Sequence, residues 1–410
     1  MRGLWFVVIF YWAGQASAQE VLRLETLLSE LRAKNPSIAS AESWYDAARL
    51  QIKRSRALED PQLTWMTEDI SLQGEEGVTP MNRFQVNQML PWPGKRSAME
   101  KVAKKEADVY QARAAGTSLE IVASAKRLYY GLYLNQEKRR INREQRGIID
   151  TLIELVTAQL SAGMPMHHDV LKMQTEAAML DDDLLMLEAE QRMIGAMING
   201  LLARPIETQI GTIAPAWSIS QKLEEERLAK LAVENPDIQE MASMEQAELA
   251  MSEVARKEQY PDIMVGLFYD AYVGEGDMVG LMAGLNLPIW AKNKQRLDME
   301  SAELRAKATS QKRSAMESML GAEVSQYIAM VRALEKRQVL LDQQLLPLAQ
   351  QTFEASLATY PTGQTNALAV LDALRVVTEQ RSALLALQVQ RELALIELEL
   401  RVGVPISELK

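Results

Sequence analysis

Two adjacent histidines are the residues of this chain whose chemistry could bind a transition metal. His167 and His168 follow Met164 and Met166, and imidazole nitrogens and thioethers are ligands that soft or borderline metals accept. A stable site needs further ligands, but the chain has no cysteine and no third histidine. We therefore favour an exposed polar turn here and keep His167 and His168 only as candidate metal ligands.

Other residues with possible chemistry have simpler explanations. The acidic run Asp181–Asp183 could attract cations, but consecutive helical residues point in different directions, which favours a solvated face. The 22 methionines are spread over the predicted helices, which favours gap filling in apolar seams over a copper relay. The chain has no cysteine nucleophile, glycine-rich phosphate loop or recognisable pair of catalytic carboxylates. We expect neither an enzyme nor a cofactor.

The elements that carry these residues are duplicated with a register of 200 residues. Matching positions hold the same residue in both copies: Asn35 and Asn235, Pro61 and Pro261, Gly163 and Gly363, Val170 and Val370, Pro205 and Pro405. A unit this long is not a solenoid repeat, whose period is about 20–50 residues. Each copy therefore predicts the same half-molecule, with a helix, a strand hairpin, a long helix, a turn and a return helix.

The long helices are too long for the interior of a compact domain. No proline occurs from Ser97 to Ala162, and apolar residues recur there every seven residues. At 1.5 Å per residue, such a helix is on the order of 100 Å long, which predicts a rod or a barrel stave. Gly147 and Pro347 occupy equivalent positions, and both weaken a helix interior, so we expect a bend before each turn.

Two segments change to a period of two residues. Ile263, Val265, Leu267 and Tyr269 alternate with Met264, Gly266, Phe268 and Asp270. Each strand has about 9–11 residues, which is enough to cross an outer membrane. Four strands cannot close a barrel, and open strand edges do not occur in hydrocarbon. Either the strands do not span a membrane, or the barrel is shared between subunits. A trimer would supply twelve strands and twelve helices.

The composition limits the location and the partners. Residues 1–18 combine Arg2, an apolar run and Ala16-Ser17-Ala18, which predicts a secretory signal peptide. A net charge of −10 argues against a nucleic-acid partner, and no later run has the roughly 20 apolar residues of a transmembrane helix. The main alternative to a channel is a soluble periplasmic coiled-coil adaptor or scaffold without a pore. The two hairpins distinguish them, because an adaptor needs no lipid-facing strands.

The predicted organisation follows from these patterns. The signal peptide spans 1–18, the first repeat 19–205, the linker 206–219, the second repeat 220–405 and the tail 406–410. In the first repeat we predict strands at about 62–72 and 82–90, a long helix at about 97–162 and a return helix at about 168–203. In the second we predict strands at about 262–272 and 278–288, a long helix at about 292–359 and a return helix at about 366–402.

The chain resembles the TolC family of outer-membrane efflux channels over essentially its whole length. The resemblance rests on the duplication and on short motifs at matching places: Asn35-Pro36, Asn235-Pro236, Asp60-Pro61, Tyr260-Pro261, Leu90-Pro91-Trp92-Pro93-Gly94-Lys95-Arg96 and Leu287-Pro288-Ile289-Trp290. The Pro-Trp-Pro-Gly-Lys form is similar to the heavy-metal efflux branch of that family.

This resemblance implies a mainly α fold with a β contribution. In a homotrimer, two helical hairpins and two strand hairpins per chain would close as a 12-helix α-barrel and a 12-stranded β-barrel. It also implies a passive duct from the periplasm through the outer membrane, with metal cations as substrates. The implied partners are outer-membrane lipid, a periplasmic adaptor and an inner-membrane pump of the RND type.

The resemblance also implies roles for the two turns, residues 158–169 and 358–372, as the periplasmic entrance. Leu160, Gly163, Tyr360 and Gly363 would dock the adaptor. The family's entrance motif, Asp-Val-Leu-Asp-Ala, appears as Ala369-Val370-Leu371-Asp372-Ala373, so Asp372 matches its second aspartate. Asp169 keeps the first aspartate in the other copy. The entrance carboxylates are then either redistributed between the copies, or the gate is held mainly by salt bridges.

Overall fold

The computed structural model describes residues 21–68, 81–161, 167–218, 223–272 and 276–405, with backbone only at 158–161 and 167. It is mainly helical with one four-stranded antiparallel sheet, as the sequence predicted. The predicted signal peptide lies outside the described residues. The described residues form two compact units: those within 1–35, 122–221 and 330–396 form the first, and those within 36–121, 222–329 and 397–410 the second.

The elements follow one another in the duplicated order. They are α1 (Leu24–Lys34), α2 (Pro36–Arg54), β1 (Gln62–Glu68), β2 (Met81–Leu90), α3 (Lys95–Ser161), α4 (His167–Leu201), α5 (Glu225–Ala232), α6 (Pro236–Lys257), β3 (Asp262–Tyr272), β4 (Met278–Asn286), α7 (Gln295–Leu340), α8 (Leu346–Thr359) and α9 (Ala367–Val402). A 3-10 turn at Ala291–Asn293 precedes α7, and a π-helical turn at Leu341–Leu345 joins α7 to α8.

The structure differs from the predicted elements in a few places. The short helices α1 and α5 were missed, because 11 and 8 residues hold too few turns for a clear period. The strand β4 ends at Asn286, two residues before Pro288, which has no N–H to donate to a neighbouring strand. Residues 69–72, predicted as the end of the first strand, lie outside the described residues.

A bend was predicted in both long helices, and near the predicted position the second copy has a π-helical turn. The π-helical turn ends two residues before Pro347, whose ring crowds the preceding turn and which has no N–H for an α-helical hydrogen bond. In the first copy, α3 stays α-helical through Gly147. Proline therefore changes the hydrogen bonding of the helix here, whereas glycine only lowers its intrinsic stability.

In the second unit, the helices lie side by side in the same order as the strands that they adjoin. The sheet order is β1-β2-β3-β4, and every neighbouring pair is antiparallel. The helices α2, α3, α6 and α7 continue these strands and contact each other in the same order. Their contacts are Arg56–Glu100 between α2 and α3, Lys101–Glu253 (2.7 Å) between α3 and α6, and Arg305–Glu248 (2.8 Å) between α6 and α7. The β2–β3 pairing thus joins the hairpins of the two repeats.

Asn235 explains why an Asn-Pro pair starts a helix in this chain. Its side-chain oxygen accepts a hydrogen bond from the Asp237 N–H (2.9 Å), which caps α6. Its amide donates to the carbonyls of Leu400 and Arg401 at the end of α9, at 2.9 and 3.0 Å. In the first unit, the Asn35 amide donates in the same way to the Leu201 carbonyl (2.8 Å) at the end of α4. Asn235 thus gives hydrogen-bond partners to backbone groups at the start of one helix and at the end of another.

In the first unit, the segment before residue 219 is tied to α3 and α9. The Tyr129 hydroxyl donates to the Ala214 carbonyl at 2.5 Å, and Gln136 accepts from the Ile213 N–H at 2.9 Å. The buried carboxylate of Glu392 accepts from the Ser218 N–H at 3.1 Å. These bonds hold an irregular segment where the predicted linker lies.

Candidate entrance turns and exposed sheet face

The helical turn between α8 and α9 is held by an apolar cluster in the first unit. Three helices and the turn residue Tyr360 contribute to it. Its buried members are Ile149, Leu152 and Val156 of α3, Val170, Met173, Ala177 and Leu180 of α4, Tyr360, and Ala367, Val370, Leu371 and Leu374 of α9. The two copies differ in the burial of one matched leucine: Leu371 is buried in this cluster, whereas Leu171 is exposed.

Tyr360 packs inside this cluster and does not project from it. Only 2% of the residue is exposed. Burial, together with the nearby negative charge of Asp169, raises the pKa of the Tyr360 phenol above its ordinary value. The structure thus brings together two predicted site residues from different copies, while Tyr360 itself offers no exposed surface for docking.

Asp372 has a different neighbour. It is exposed on the first turns of α9, and its charge acts on Arg375, one turn further along the helix. Arg375 forms a two-pronged ion pair with the buried Glu176 of α4, with Nε donating to Oε1 at 2.9 Å. The hydrogen bonds to Glu176 raise the pKa of the Arg375 guanidinium. This pair links the two return helices beside the turn.

The α8–α9 turn has its own local hydrogen bonds. Gly363 has a φ of +74°, a backbone conformation that favours glycine, and its N–H donates to the Tyr360 carbonyl at 3.1 Å. The hydroxyls of Thr359 and Thr365 lie 2.6 Å apart across the turn. Asn366 caps α9 by accepting from the Ala369 N–H at 2.8 Å. The turn is therefore fixed by its sequence as well as by the cluster below it.

The first turn is described only at its edges. Gly163 lies outside the described residues, as do the side chains of Leu160 and His167. His168 is exposed, and its Nδ1 lies 3.5 Å from the Asp169 carboxylate. Within the described part of the chain, no group of three or more histidine or acidic side chains could hold a metal ion.

One face of the sheet in the second unit is apolar and exposed. Residues that are directly opposite each other form rows across all four strands: Trp65, Phe84, Tyr269 and Val279 in one row, and Leu63, Val86, Leu267 and Leu281 in the next. All eight are exposed, and Leu281 is 85% exposed. A soluble chain rarely exposes so continuous an apolar surface, so this face requires a partner.

The opposite face of the sheet mixes polar side chains with methionine and phenylalanine, and it is tightly fitted. Arg83 donates two hydrogen bonds to the buried Asp270, at 2.8 and 2.9 Å, across the β2–β3 pairing. The Phe268 ring lies against Gly280, where an added Cβ would come within 2.1 Å of Cζ. The two faces therefore suit different surroundings. Among the described helices, none is long and apolar enough to cross a membrane.

Sequence reasoning missed the pairs that depend on long-range contacts. Glu176 and Arg375 are 199 residues apart, and neither belongs to a recognisable motif. Lys95, within the Pro-Trp-Pro-Gly-Lys motif, is buried and donates to Asp262 at 2.7 Å, so the motif ties the start of α3 to the start of β3. The matching positions of the repeat carry other residue types, so the duplication offered no signal for these pairs.

Comparison with known proteins gives consistent results. The sequence profile described as "Outer membrane efflux protein" matches residues 27–200 and 228–404, which covers more than half of the chain. A relative from Cupriavidus metallidurans, the cobalt-zinc-cadmium resistance protein CzcC, is 24% identical over 377 residues. That alignment covers 88% of this chain and 85% of the relative.

Several solved structures have the same fold. CusC, a protein whose structures concern transmembrane channel formation, matches with a TM-score of 0.82 at 19% identity, covering 93% of this chain and 92% of CusC. The outer membrane protein VceC from Vibrio cholerae matches with 0.79 at 17% identity, covering 93% of this chain and 96% of VceC. The open MtrE outer membrane channel of Neisseria gonorrhoeae matches with 0.77 at 17% identity, covering 94% and 89%.

Proposed function

Because this chain belongs to the outer membrane efflux protein family, and is thus an outer-membrane protein, we propose that it is the exit duct of a tripartite efflux system. In this proposal, three copies form the channel, a periplasmic adaptor docks on its helical turns, and an inner-membrane pump of the RND type supplies the energy. Transport through the duct itself is passive. The family consists of efflux channels and not of enzymes.

The observation that carries the proposal is the exposed apolar face of the four-stranded sheet. The rows of Trp65, Phe84, Tyr269 and Val279 and of Leu63, Val86, Leu267 and Leu281 would be stable against lipid tails. In the single chain, β1 and β4 each have one unpaired edge. Hydrocarbon does not tolerate such edges, so β4 of one copy must pair with β1 of the next. Three copies would close a barrel of twelve strands.

The helices of the first unit support the same assembly. Met179, Met186 and Met193 of α4 are exposed and recur every seven residues, which is the spacing of a helix-packing seam. On α7, the π-helical turn and α8, the apolar residues Val339, Leu345 and Leu348 are also exposed. The first set faces away from the α3 contacts and the second is left uncovered by α9. In a trimer, the α4 seam of one copy would pack on α7 and α8 of the next.

At the entrance, we assign Asp372 and Asp169 to different tasks. Asp372 is exposed, so three copies of it would form a carboxylate ring that attracts cations. Asp169 lies beside the buried Tyr360 and would stabilise the packed turn. Leu160, Gly163 and Gly363 remain proposed adaptor contacts, and Tyr360 would contribute by shaping the turn. We propose that His167 and His168 contact metal ions only transiently, while these ions pass through the entrance as substrates.

For the substrate, we propose divalent metal cations. The support is the relative whose name specifies cobalt, zinc and cadmium resistance, and the Pro-Trp-Pro-Gly-Lys motif. A soluble periplasmic adaptor or scaffold is the weaker alternative. The family match and the exposed sheet face both favour the channel over that alternative, since an adaptor without a pore has no use for a lipid-facing sheet.

Reconstitution tests the channel directly. The purified mature protein should sediment with outer membranes, run as a trimer in detergent and conduct ions in planar lipid bilayers. A protein found as a soluble periplasmic monomer would contradict the channel. The substrate requires a separate test, in which deletion of the gene should increase sensitivity to cobalt, zinc or cadmium but not to hydrophobic drugs.

A further inference from the structure

All four junctions between strands and helices lie at one end of the sheet. Because neighbouring strands are antiparallel, the passages from α2 to β1, β2 to α3, α6 to β3 and β4 to α7 meet at that end. We define the junction collar as residues 53–61, 91–100, 254–261 and 287–298. The other ends of the strands adjoin residues 69–80 and 273–277.

The junction collar is basic in an acidic chain. It contains ten Lys and Arg residues against five Asp and Glu residues, whereas the whole chain has a net charge of −10. Residues 69–80 and 273–277, beside the other strand ends, contain five acidic residues and no Lys or Arg. In the sequence, the segments that connect the strands of each hairpin are therefore acidic, whereas the collar is basic. Only the junction collar would attract an anionic surface.

The densest group of available cations in the collar lies after β4. Lys95 is paired with Asp262 at 2.7 Å, and Arg56 is paired with Glu100. By contrast, Lys292, Lys294 and Arg296 are exposed. Within the described ranges, none of these three has a carboxylate at ion-pair distance. Three unneutralised cations lie within five residues, so this segment would hold a negatively charged ligand without first breaking an internal pair.

The same segment continues the apolar face of the sheet. Leu281, Leu285, Leu287 and Ile289 are exposed along β4 and just beyond it, and Trp290 is 71% exposed. Trp290 lies two residues before Lys292. An aromatic ring followed by long basic side chains, at the limit of an apolar face, is the arrangement that suits a membrane–water interface.

A stacked pair of aromatic residues lies at the neighbouring junctions, after β2 and before β3. The rings of Trp92 and Tyr260 stack with their centroids 5.7 Å apart, and Lys257 Nζ lies 5.8 Å from the Tyr260 ring. Aromatic and basic groups therefore recur at separate junctions, after β2, before β3 and after β4. One membrane–water interface at this end of the sheet would explain why such groups occur at all three junctions.

We propose that the junction collar binds the phosphate headgroups of anionic phospholipids in the periplasm-facing leaflet of the outer membrane. This inference rests on the proposed function, because it requires β1–β4 to lie in a membrane. Phosphates would lie against Lys292, Lys294 and Arg296, with Trp290 at the level of the glycerol backbone. Each basic side chain near an anionic surface adds to the attraction, and salt screens it.

The test compares two charge-reversed proteins with the unmodified trimer. K292E/K294E/R296E reverses the three exposed cations after β4, and K307E/K312E/K336E makes the same charge change at exposed positions further along α7. Each protein is reconstituted in phosphatidylcholine vesicles. The association of spin-labelled phosphatidylglycerol, relative to spin-labelled phosphatidylcholine, is then measured by electron spin resonance at low and at high salt.

We expect the unmodified protein and K307E/K312E/K336E to prefer phosphatidylglycerol by about threefold or more at low salt, and less at high salt. K292E/K294E/R296E should lose this preference while its bilayer conductance stays unchanged. Equal association of both lipids with the unmodified trimer would overturn the proposal.

Two further results would also contradict it. If K292E/K294E/R296E kept the lipid preference, phosphates would not bind at Lys292, Lys294 and Arg296, as the proposal requires. If it lost its trimeric state, these three cations would contact a neighbouring subunit and not lipid. A protein that conducts but shows no lipid preference refutes only this inference. A protein that neither inserts nor conducts refutes the proposed function itself.

Discussion

At the scale of single residues, the two copies of the repeat place Asp372 and Asp169 in different surroundings, which suits them to different roles. They lie near the start of the return helices of the two copies, but Asp372 is exposed beside Arg375, whereas Asp169 is beside the buried phenol of Tyr360. An exposed carboxylate keeps its charge available to ions in solution. A carboxylate beside buried groups mainly affects local stability. The exposed residue is therefore the better candidate for an effect on passing cations.

We predict that Asp372→Ala alters ion conduction at the entrance. Removal of three symmetry-related carboxylates should weaken block by divalent cations by on the order of tenfold, because the local cation concentration falls. Single-channel recording with added divalent cations provides the measurement, and Asp182→Ala removes an equally exposed charge elsewhere on the chain. Unchanged conductance and unchanged block in Asp372→Ala would remove this residue from the entrance.

A second residue-scale prediction concerns the ion pair between the return helices. Glu176→Gln leaves the Arg375 guanidinium without its charged partner and should destabilise the turn by about 1–2 kcal/mol. Hydrogen exchange of residues 367–380 should become faster. Glu379→Gln is the control, because Glu379 is an exposed carboxylate near the same arginine. Equal exchange in both variants would argue that the pair does not hold the turn.

At the scale of elements, small residues in the strands decide how closely side chains can pack. Gly280 leaves room for the Phe268 ring against β4. The Arg83 guanidinium, which binds Asp270, lies 4.9 Å from the centre of that ring. The ring, the glycine and the ion pair thus form one fitted set across three strands. Disturbing one member should disturb the register that joins the two repeats.

We therefore predict that Gly280→Ala impairs the sheet. The added Cβ would come within 2.1 Å of Phe268, so the ring must leave its position, at a cost of about 1–3 kcal/mol. The yield of folded trimer in outer membranes should fall. The double variant Phe268→Ala with Gly280→Ala should recover part of that yield.

Gly276 provides the matched control for this substitution. A Cβ there meets nothing within 4 Å, so Gly276→Ala should leave the yield unchanged. If Gly276→Ala and Gly280→Ala lowered the yield equally, the loss would reflect glycine content of the hairpin and not the contact with Phe268.

At the scale of the whole molecule, each described unit leaves apolar surface uncovered. In the first unit it is the seam of Met179, Met186 and Met193, and in the second it is the outer face of the sheet. One surface is narrow and helical, and the other is broad and flat. This difference suits two kinds of partner, a neighbouring subunit for the seam and lipid for the sheet.

We predict that Met186→Glu prevents assembly. Met186 is 68% exposed in the single chain, so the substitution should not disturb its fold, but a charge buried in a subunit seam costs several kcal/mol. Size-exclusion chromatography with light scattering should detect monomers in detergent. Gln174→Glu adds the same charge on another exposed side of α4 and should remain trimeric. A trimeric Met186→Glu protein would place the seam outside the subunit contact.

The sequence by itself determined the repeating architecture. Proline and glycine punctuation, heptad spacing and two-residue alternation are local signals, and they predicted long helices, two hairpins and their order within each copy. The Asn-Pro pairs marked helix starts for a physical reason that the structure supplies, since Asn235 caps α6 and also binds the end of α9. The family resemblance followed from the same punctuation.

Only the tertiary structure decided which distant residues meet. Glu176 pairs with Arg375 and Lys95 with Asp262 because the packed helices and paired strands bring them together, and their spacing in the sequence carries no period. Burial is likewise a property of packing: Tyr360 looks like an exposed turn residue in the sequence but lies inside a cluster built from α3, α4 and α9. Local patterns fix the elements, and long-range packing fixes the site.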